Sequence, residues 1–418
     1  MKKFGSIVAA TLLSTTMAFA ATMGDDKNLA VDANADGVAD AVIATTGDYS
    51  VVPAYYANTA GWSTTFKVTN TDLANAVIAK VVVRESVDSV EVLDYLIYLT
   101  PGDVYEATIY NDGGAVKVKS TDDSQIIAGV TGDTKTFDEA VTMTAGQDAT
   151  SGYVEVMGVA KASAAALDAT WVANQPLSKA TLYNAWRNVG ANAAGTWVDV
   201  ADDLYVTETV NNATAGSELS LSVPTVTFNN FATAPMIAVT GSLGTTLANS
   251  TNRNNAQLLA EMNSLLTTNT AFVNYSSNGS AVNETALYVT APTKKYVYET
   301  SGAAGLVAIG YTQLAGTAGT KTSDFAAAWT LTARDMKENT PQAPVAGELS
   351  GKPAAVVTRS AINKELDVVR VSGDANVANY KDGYAAVTLN NTPVITTLMS
   401  ATTVGTRAIT AASTPATK

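Results

Sequence analysis

Short runs of β-branched and aromatic residues, each closed by a turn signal, dominate this chain and leave it few folds to choose from. Trp62-Ser-Thr-Thr-Phe-Lys-Val-Thr69 alternates apolar and polar residues with the period of a half-buried strand. Ala76 to Arg84 and Glu91 to Leu99 are runs of strand length, rich in Val, Ile, Leu and Tyr. Turn residues separate them: Asn70-Thr71-Asp72, Thr100-Pro101-Gly102-Asp103 and Asn111-Asp112-Gly113-Gly114. The last lies between Ala107–Tyr110 and Ala115–Lys119, which predicts a hairpin whose Asp-Gly or Gly-Gly supplies the positive φ angles. Strands about 8–15 residues apart, joined by short turns, predict a mainly β chain, an antiparallel β-sandwich of immunoglobulin-like or jelly-roll-like type.

Further strands are expected at Tyr153–Met157, Leu219–Phe228, Met236–Thr240, Ala286–Thr290, Tyr296–Glu299, Leu306–Thr312, Val368–Val371, Tyr384–Leu389 and Val394–Leu398. Helical signal is local: Leu258, Leu259, Met262, Leu265 and Leu266 fall on one face at helical spacing, and Leu182–Val189 reads as a second short helix. Such helices are expected in the connections between strands. Segments Asp133–Ser151, Ala162–Leu177, Gly244–Asn255 and Gly316–Lys352 are rich in Ala, Gly, Thr and Asn and read as loops or borders. No repeat of fixed period stands out.

The alphabet restricts the chemistry. Among 418 residues there is no histidine and no cysteine. The usual base of a serine or cysteine hydrolase is therefore missing, as are zinc sites of the His/Cys kind and all disulfide chemistry. No Gly-rich phosphate loop precedes a helix, and no motif singles out a buried lysine for Ser-Lys catalysis. Glu85 and Asp88 flank Ser86, and Asp122-Asp123 adjoin Ser124, but five tryptophans spread along the chain mark no sugar platform around such carboxylates. We therefore expect no enzyme. Apolar residues make up 47%, enough for a sizeable core, while charged residues are only 15%. A net charge of −13 argues against nucleic acid and anionic lipid as partners.

Residues 1–20 read as a secretory signal peptide. Lys2 and Lys3 give the charged start, an apolar stretch follows, and Ala18-Phe19-Ala20 fits the small-x-small cleavage pattern. The apolar stretch is broken by Ser14, Thr15 and Thr16, so no transmembrane segment is expected there or elsewhere. The remaining chain divides into an N-terminal segment (21–48), a β-sandwich domain (49–160), a second β-rich region with short helices (161–338), and C-terminal strands with a tail (339–418). Asn339-Thr-Pro-Gln-Ala-Pro-Val-Ala-Gly347 marks the clearest border.

The sharpest motif is Asp32-Ala-Asn34-Ala-Asp36-Gly37-Val38-Ala-Asp40. Side-chain oxygens of Asp32, Asn34 and Asp36 converge in a tight loop that Gly37 lets turn. The Val38 carbonyl and the Asp40 carboxylate complete a set suited to calcium. The pattern resembles the calcium loops of thrombospondin type-3 repeats and, less closely, of dockerins. It departs from the EF-hand, since Ile43 stands where a bidentate Glu belongs. Further ligands would come from Asp25, Asp26 or Asp48. A solvated acidic linker is the other reading. Asp374, Asn376 and Asp382-Gly383 form a weaker acidic turn, read as surface.

Scattered blocks carry a wider resemblance: Val52-Pro53-Ala-Tyr55-Tyr56, Gly61-Trp62, Val68-Thr-Asn70-Thr71, Val83-Arg84-Glu85, Leu99-Thr-Pro101-Gly102-Asp103, Gly152-Tyr153-Val-Glu155-Val and Val289-Thr-Ala-Pro292-Thr293-Lys294. Over about residues 50–300 they resemble a family of exported bacterial cell-surface proteins. The composition, without Cys or His and rich in Ala, Thr and Val, is similar to that of surface-layer (S-layer) proteins. The resemblance implies a secreted structural protein that forms homo-oligomers, a lattice or filaments, with a cell-surface glycan as anchor. It brings no catalytic residues. Some relatives carry Cys after the Asp-Asp-Ser segment, where this chain has Gln125, so no disulfide is carried over. A surface adhesin or carbohydrate-binding protein is the alternative. Arg84 is expected to ion-pair with Glu85 or Asp94 at a sheet edge.

Overall fold

The computed structural model describes residues 42–57, 61–120, 122–126, 141–142, 149–173, 175–187, 196–200, 202–212, 219–229, 255–276, 283–335, 357–371, 382–404, 407–413 and 416–417. Within them the chain is mainly β, and every strand pairing is antiparallel. The described helices are Ala164–Leu167, Lys179–Arg187, Asn255–Leu266 and Lys294–Ala308, with a 3-10 turn at Thr322–Asp324. This is the class that the strand and turn pattern predicts. No helix among the described residues is long and apolar enough to cross a membrane.

The first sheet runs Val42–Ala44, Val226–Asn229, Tyr49–Tyr56, Ser151–Ser163, Asn75–Glu85, Glu91–Leu99, Gln125–Ile126. The second runs Leu219–Val223, Leu204–Asn212, Trp62–Asn70, Val104–Asp112, Ala115–Lys119, Val141–Thr142. Alternate residues of the two sheets meet in one apolar core: Val77, Ala79, Val81 and Val83 from the first, and Phe66, Val68, Tyr105, Ile109 and Val206 from the second. The opposite face of the first sheet is buried too. Tyr49, Ile78, Val82, Tyr153 and Met157 join a larger core with the helices Asn255–Leu266 and Lys294–Ala308 and with the C-terminal strands. A sheet covered on both faces has no wet side. That is why Tyr49–Tyr56 and Asn75–Glu85 read as nearly continuous apolar runs instead of alternating ones.

Residues 160 and 161 both lie inside the long strand Ser151–Ser163, and the strands between 204 and 229 return to the two N-terminal sheets. The C-terminal strands form two more sheets. One orders Tyr311–Gln313, Phe325–Asp335, Asp382–Pro393, Thr267–Ser276 and Ala416–Thr417, with Val357–Ile362 also on Phe325–Asp335. The other orders Leu366–Arg370, Asn283–Thr290, Ile395–Val404 and Arg407–Ser413.

The hairpin predicted at Asn111–Gly114 is present. Asp112 pairs with Ala115 across the turn, and Gly113 and Gly114 carry φ of 61° and 96°. The two predicted helices form as Asn255–Leu266 and Lys179–Arg187. Other expectations are corrected. Tyr296–Glu299 and Leu306–Ala308 are not strands but part of the helix Lys294–Ala308, and of the expected strand Leu306–Thr312 only Tyr311 and Thr312 are strand, in Tyr311–Gln313. The aromatic run Tyr296-Val-Tyr298 favours a strand locally, yet the helix places Lys294, Tyr296, Val297 and Leu306 in the core, and packing overrides propensity. Leu219–Phe228 is two strands in different sheets, broken at Pro224, which has no N–H for a ladder. The expected loop Gly316–Lys352 contains the strand Phe325–Asp335, in which Phe325, Ala326, Ala327, Trp329 and Leu331 are buried although its run of alanines carries little strand signal. Met236–Thr240 lies outside the described residues.

Candidate functional site

Among the described residues, a dense group of buried polar side chains lies where the turn after Asn75–Glu85 docks on the C-terminal half. Glu85 closes that turn, its carboxylate accepting the backbone N–H of Val87 at 2.6 Å, Asp88 at 2.7 Å and Val90 at 3.1 Å. The Ser86 carbonyl then accepts the N–H of Glu365 at 2.9 Å and of Leu366 at 3.0 Å. Asp88 accepts from the Ser323 N–H at 2.7 Å and stands 3.5 Å from the Lys321 ammonium. Burial pushes the Asp88 carboxyl up, but the Ser323 bonds and the Lys321 charge outweigh it and hold the group below its ordinary range.

Arg84 does not pair with Glu85 or Asp94. Strand alternation sends Arg84 and Glu85 to opposite faces, and Asp94 is taken by Lys80 at 2.7 Å. Arg84 lies opposite Tyr153 in the ladder, diagonal to Glu155 on the same face. Its Nε donates to Glu155, both side chains being almost wholly buried. The same carboxylate accepts Tyr49 Oη at 2.6 Å and Tyr296 Oη at 2.7 Å. Arg84 also donates to Tyr296 Oη at 2.8 Å and to the Ser89 carbonyl at 3.1 Å. Burial, reinforced by the Glu155 charge, raises the phenols of Tyr49, Tyr153 and Tyr296 well above their usual range, so they stay protonated as donors. The network ties the central sheet to the helix Lys294–Ala308.

Beside it, Lys294 and Glu365 are fully buried, with Lys294 Nζ 3.9 Å from Glu365 Oε1. Nζ donates to the Asn363 carbonyl at 2.7 Å and lies 5.0 Å from the centre of the Tyr311 ring. Burial lifts Glu365 to about 7 against the pull of Lys294, and lowers Lys294. Sequence reasoning missed this pair and the Arg84–Glu155 bond. One signal was present: Arg84-Glu85, Tyr153-Val-Glu155 and Pro292-Thr293-Lys294 belong to the scattered blocks quoted above, and all three meet here.

A second cluster tests for Ser-Lys chemistry. Lys179 Nζ donates to Ser124 Oγ at 2.5 Å, to the Tyr98 carbonyl at 3.0 Å and to the Asp103 carboxylate. All three bonds use ammonium hydrogens, so no lone pair faces the serine proton, and the arrangement clasps the helix Lys179–Arg187 to the strand ends. Trp186 and Trp197 pack edge to face with centroids 5.1 Å apart, but Trp197 is buried and offers no open ring face.

The predicted calcium ligands Asp32, Asn34, Asp36, Val38 and Asp40 lie outside the described residues, as do Asp25 and Asp26. Asp48 is described and is buried in the bend just before the strand Tyr49–Tyr56. Among the described residues, no three of His, Cys, Asp and Glu form a group that could hold a metal.

Glu208 stands apart. It is 1% exposed, and neither carboxylate oxygen has a hydrogen-bond partner among the described residues. Burial alone holds its carboxyl well above the ordinary 4.5. A raised acid stabilises the fold fully below its unfolded value, near 4.5, and that contribution is lost as pH rises towards the folded value. Glu208→Met is therefore expected to raise stability by about 1–3 kcal/mol near neutral pH, with the gain shrinking as pH falls towards the unfolded value. Denaturant midpoints across pH measure this, and a pH-independent difference would contradict it.

No family model, curated protein or solved structure matches the chain.

Proposed function

We propose that this chain is a secreted structural protein of the cell surface that assembles with copies of itself into a layer or filament. What supports the reading is how the buried ionisable groups are used. Buried Arg84 and Glu155 bond each other, buried Asp88 holds the Ser323 N–H, and half-buried Lys179 holds Ser124 and Asp103, so that these groups tie sheet to helix and turn to neighbouring segment. Side chains used in that way make a stiff building block. Without cysteine, such a block depends on core, polar clasps and assembly for its durability. The leader-like residues 1–20 carry the export part of the proposal, and the loop Asp32–Asp40 the calcium part.

With a net charge of −13, copies repel one another at low salt, and divalent cations that bridge carboxylates relieve the repulsion. Ordered sheets or fibres are expected to form in millimolar calcium and to disperse on chelation, followed by light scattering and negative-stain microscopy. Calcium is also expected to stabilise the chain by roughly 1–3 kcal/mol at saturation, a gain absent in Asp36→Ala. A chain that stays monomeric at high concentration with calcium present overturns assembly and points to a surface adhesin instead.

A further inference from the structure

We propose that Lys294 and Glu365 become joined by an amide bond between Nζ and Cδ, an intramolecular cross-link that the folded chain makes by itself. Lys294 opens the helix Lys294–Ala308, and Glu365 directly precedes the strand Leu366–Arg370. Their backbones are already held together: the Ala291 N–H donates to the Glu365 carbonyl at 2.7 Å, and the Glu365 N–H donates to Ser86. The side chains are fully buried, with nitrogen and carboxyl oxygen 3.9 Å apart.

As an ion pair the arrangement is poor. An ammonium has three hydrogens to place, and the Asn363 carbonyl takes one, with the Tyr311 ring beside it. Among the described residues neither Glu365 oxygen has a hydrogen-bond partner of good geometry, and the Thr322 side chain gives the carboxyl only weak support. Two charges buried in this way are not repaid by their attraction. Proton transfer from the ammonium to the carboxylate gives the forms that burial favours, an amine and a carboxylic acid. These are a nucleophile and an electrophile held in place, which removes most of the entropic cost of bringing them together.

The step balances without any co-reactant. The Nζ lone pair attacks Cδ, and the Nζ–Cδ bond forms. One Nζ proton passes to the departing hydroxyl, the Cδ–O bond breaks, and one water leaves. No electron is gained or lost. The product amide is neutral and keeps one N–H, for which the Asn363 carbonyl is the nearby acceptor. Such a bond would lock the segment before Leu366 to the helix that carries Tyr296, beside the Arg84–Glu155 network.

The test is peptide mapping of the purified, folded wild-type chain by mass spectrometry after denaturation and trypsin digestion. The expected result is no cleavage after Lys294 and a branched peptide joining Lys294 to Glu365, lighter by one water than its two linear parts. Lys294→Met and Glu365→Ala should each lack it. Linear peptides with a free Lys294 and a free Glu365 from folded wild type overturn the proposal, whether or not the variants fold. A branch at Asn363 with loss of ammonia overturns Glu365 as the electrophile.

Discussion

Arg84→Ala is expected to destabilise the chain by about 3–5 kcal/mol, because it leaves the Glu155 carboxylate buried without its counter-charge. Arg84→Lys should recover little. The guanidinium uses separate nitrogens to reach Glu155, Tyr296 and the Ser89 carbonyl, and an ammonium on a flexible stem cannot span the three. The pair Arg84→Met with Glu155→Leu removes both charges and should cost well below the sum of the single changes, since no charge is then stranded. Denaturant titration of wild type, the single variants Arg84→Met and Glu155→Leu, and the double variant checks this. Additive losses would mean that the two groups act independently and that the network is not the clasp described.

Gly152→Ala is expected to cost about 3 kcal/mol, the upper end of the usual range for overpacking. A Cβ on Gly152 would lie 1.9 Å from the Arg84 carbonyl oxygen and 2.8 Å from the Tyr55 ring. The first obstacle is backbone in the ladder between Ser151–Ser163 and Asn75–Glu85, so no rotamer change relieves it. Gly114→Ala gives the contrast. Nothing lies within 4 Å of its added Cβ, and it pays only the left-handed backbone penalty of about 1–2 kcal/mol. A Gly152→Ala protein as stable as wild type would mean that the two strands part there at little cost.

The β class, the Asn111–Gly114 hairpin and the helix Asn255–Leu266 were legible in the sequence because each rests on a local rule: residue period, turn chemistry or the spacing of one apolar face. Where the local rule was interrupted, the element was lost. Leu204–Asn212 carries its inward residues at Leu204, Val206, Glu208 and Val210, and the buried glutamate breaks the apolar alternation. The lack of histidine and cysteine and the acidic balance were likewise properties of the chain alone, and they limited its chemistry before any fold was known. The buried junction was not legible in this way. Arg84 reads locally as an edge residue with acids close by in sequence, and only the pairing of Asn75–Glu85 with Ser151–Ser163 sets Glu155 on its face. Lys294 and Glu365 gain their character from burial on both sides, which depends on how the C-terminal strands close over the central sheet. Desolvation acts through the whole surrounding structure and not through sequence neighbours, so the pattern of residues determined the strands, and tertiary packing alone decided which charges would meet without water.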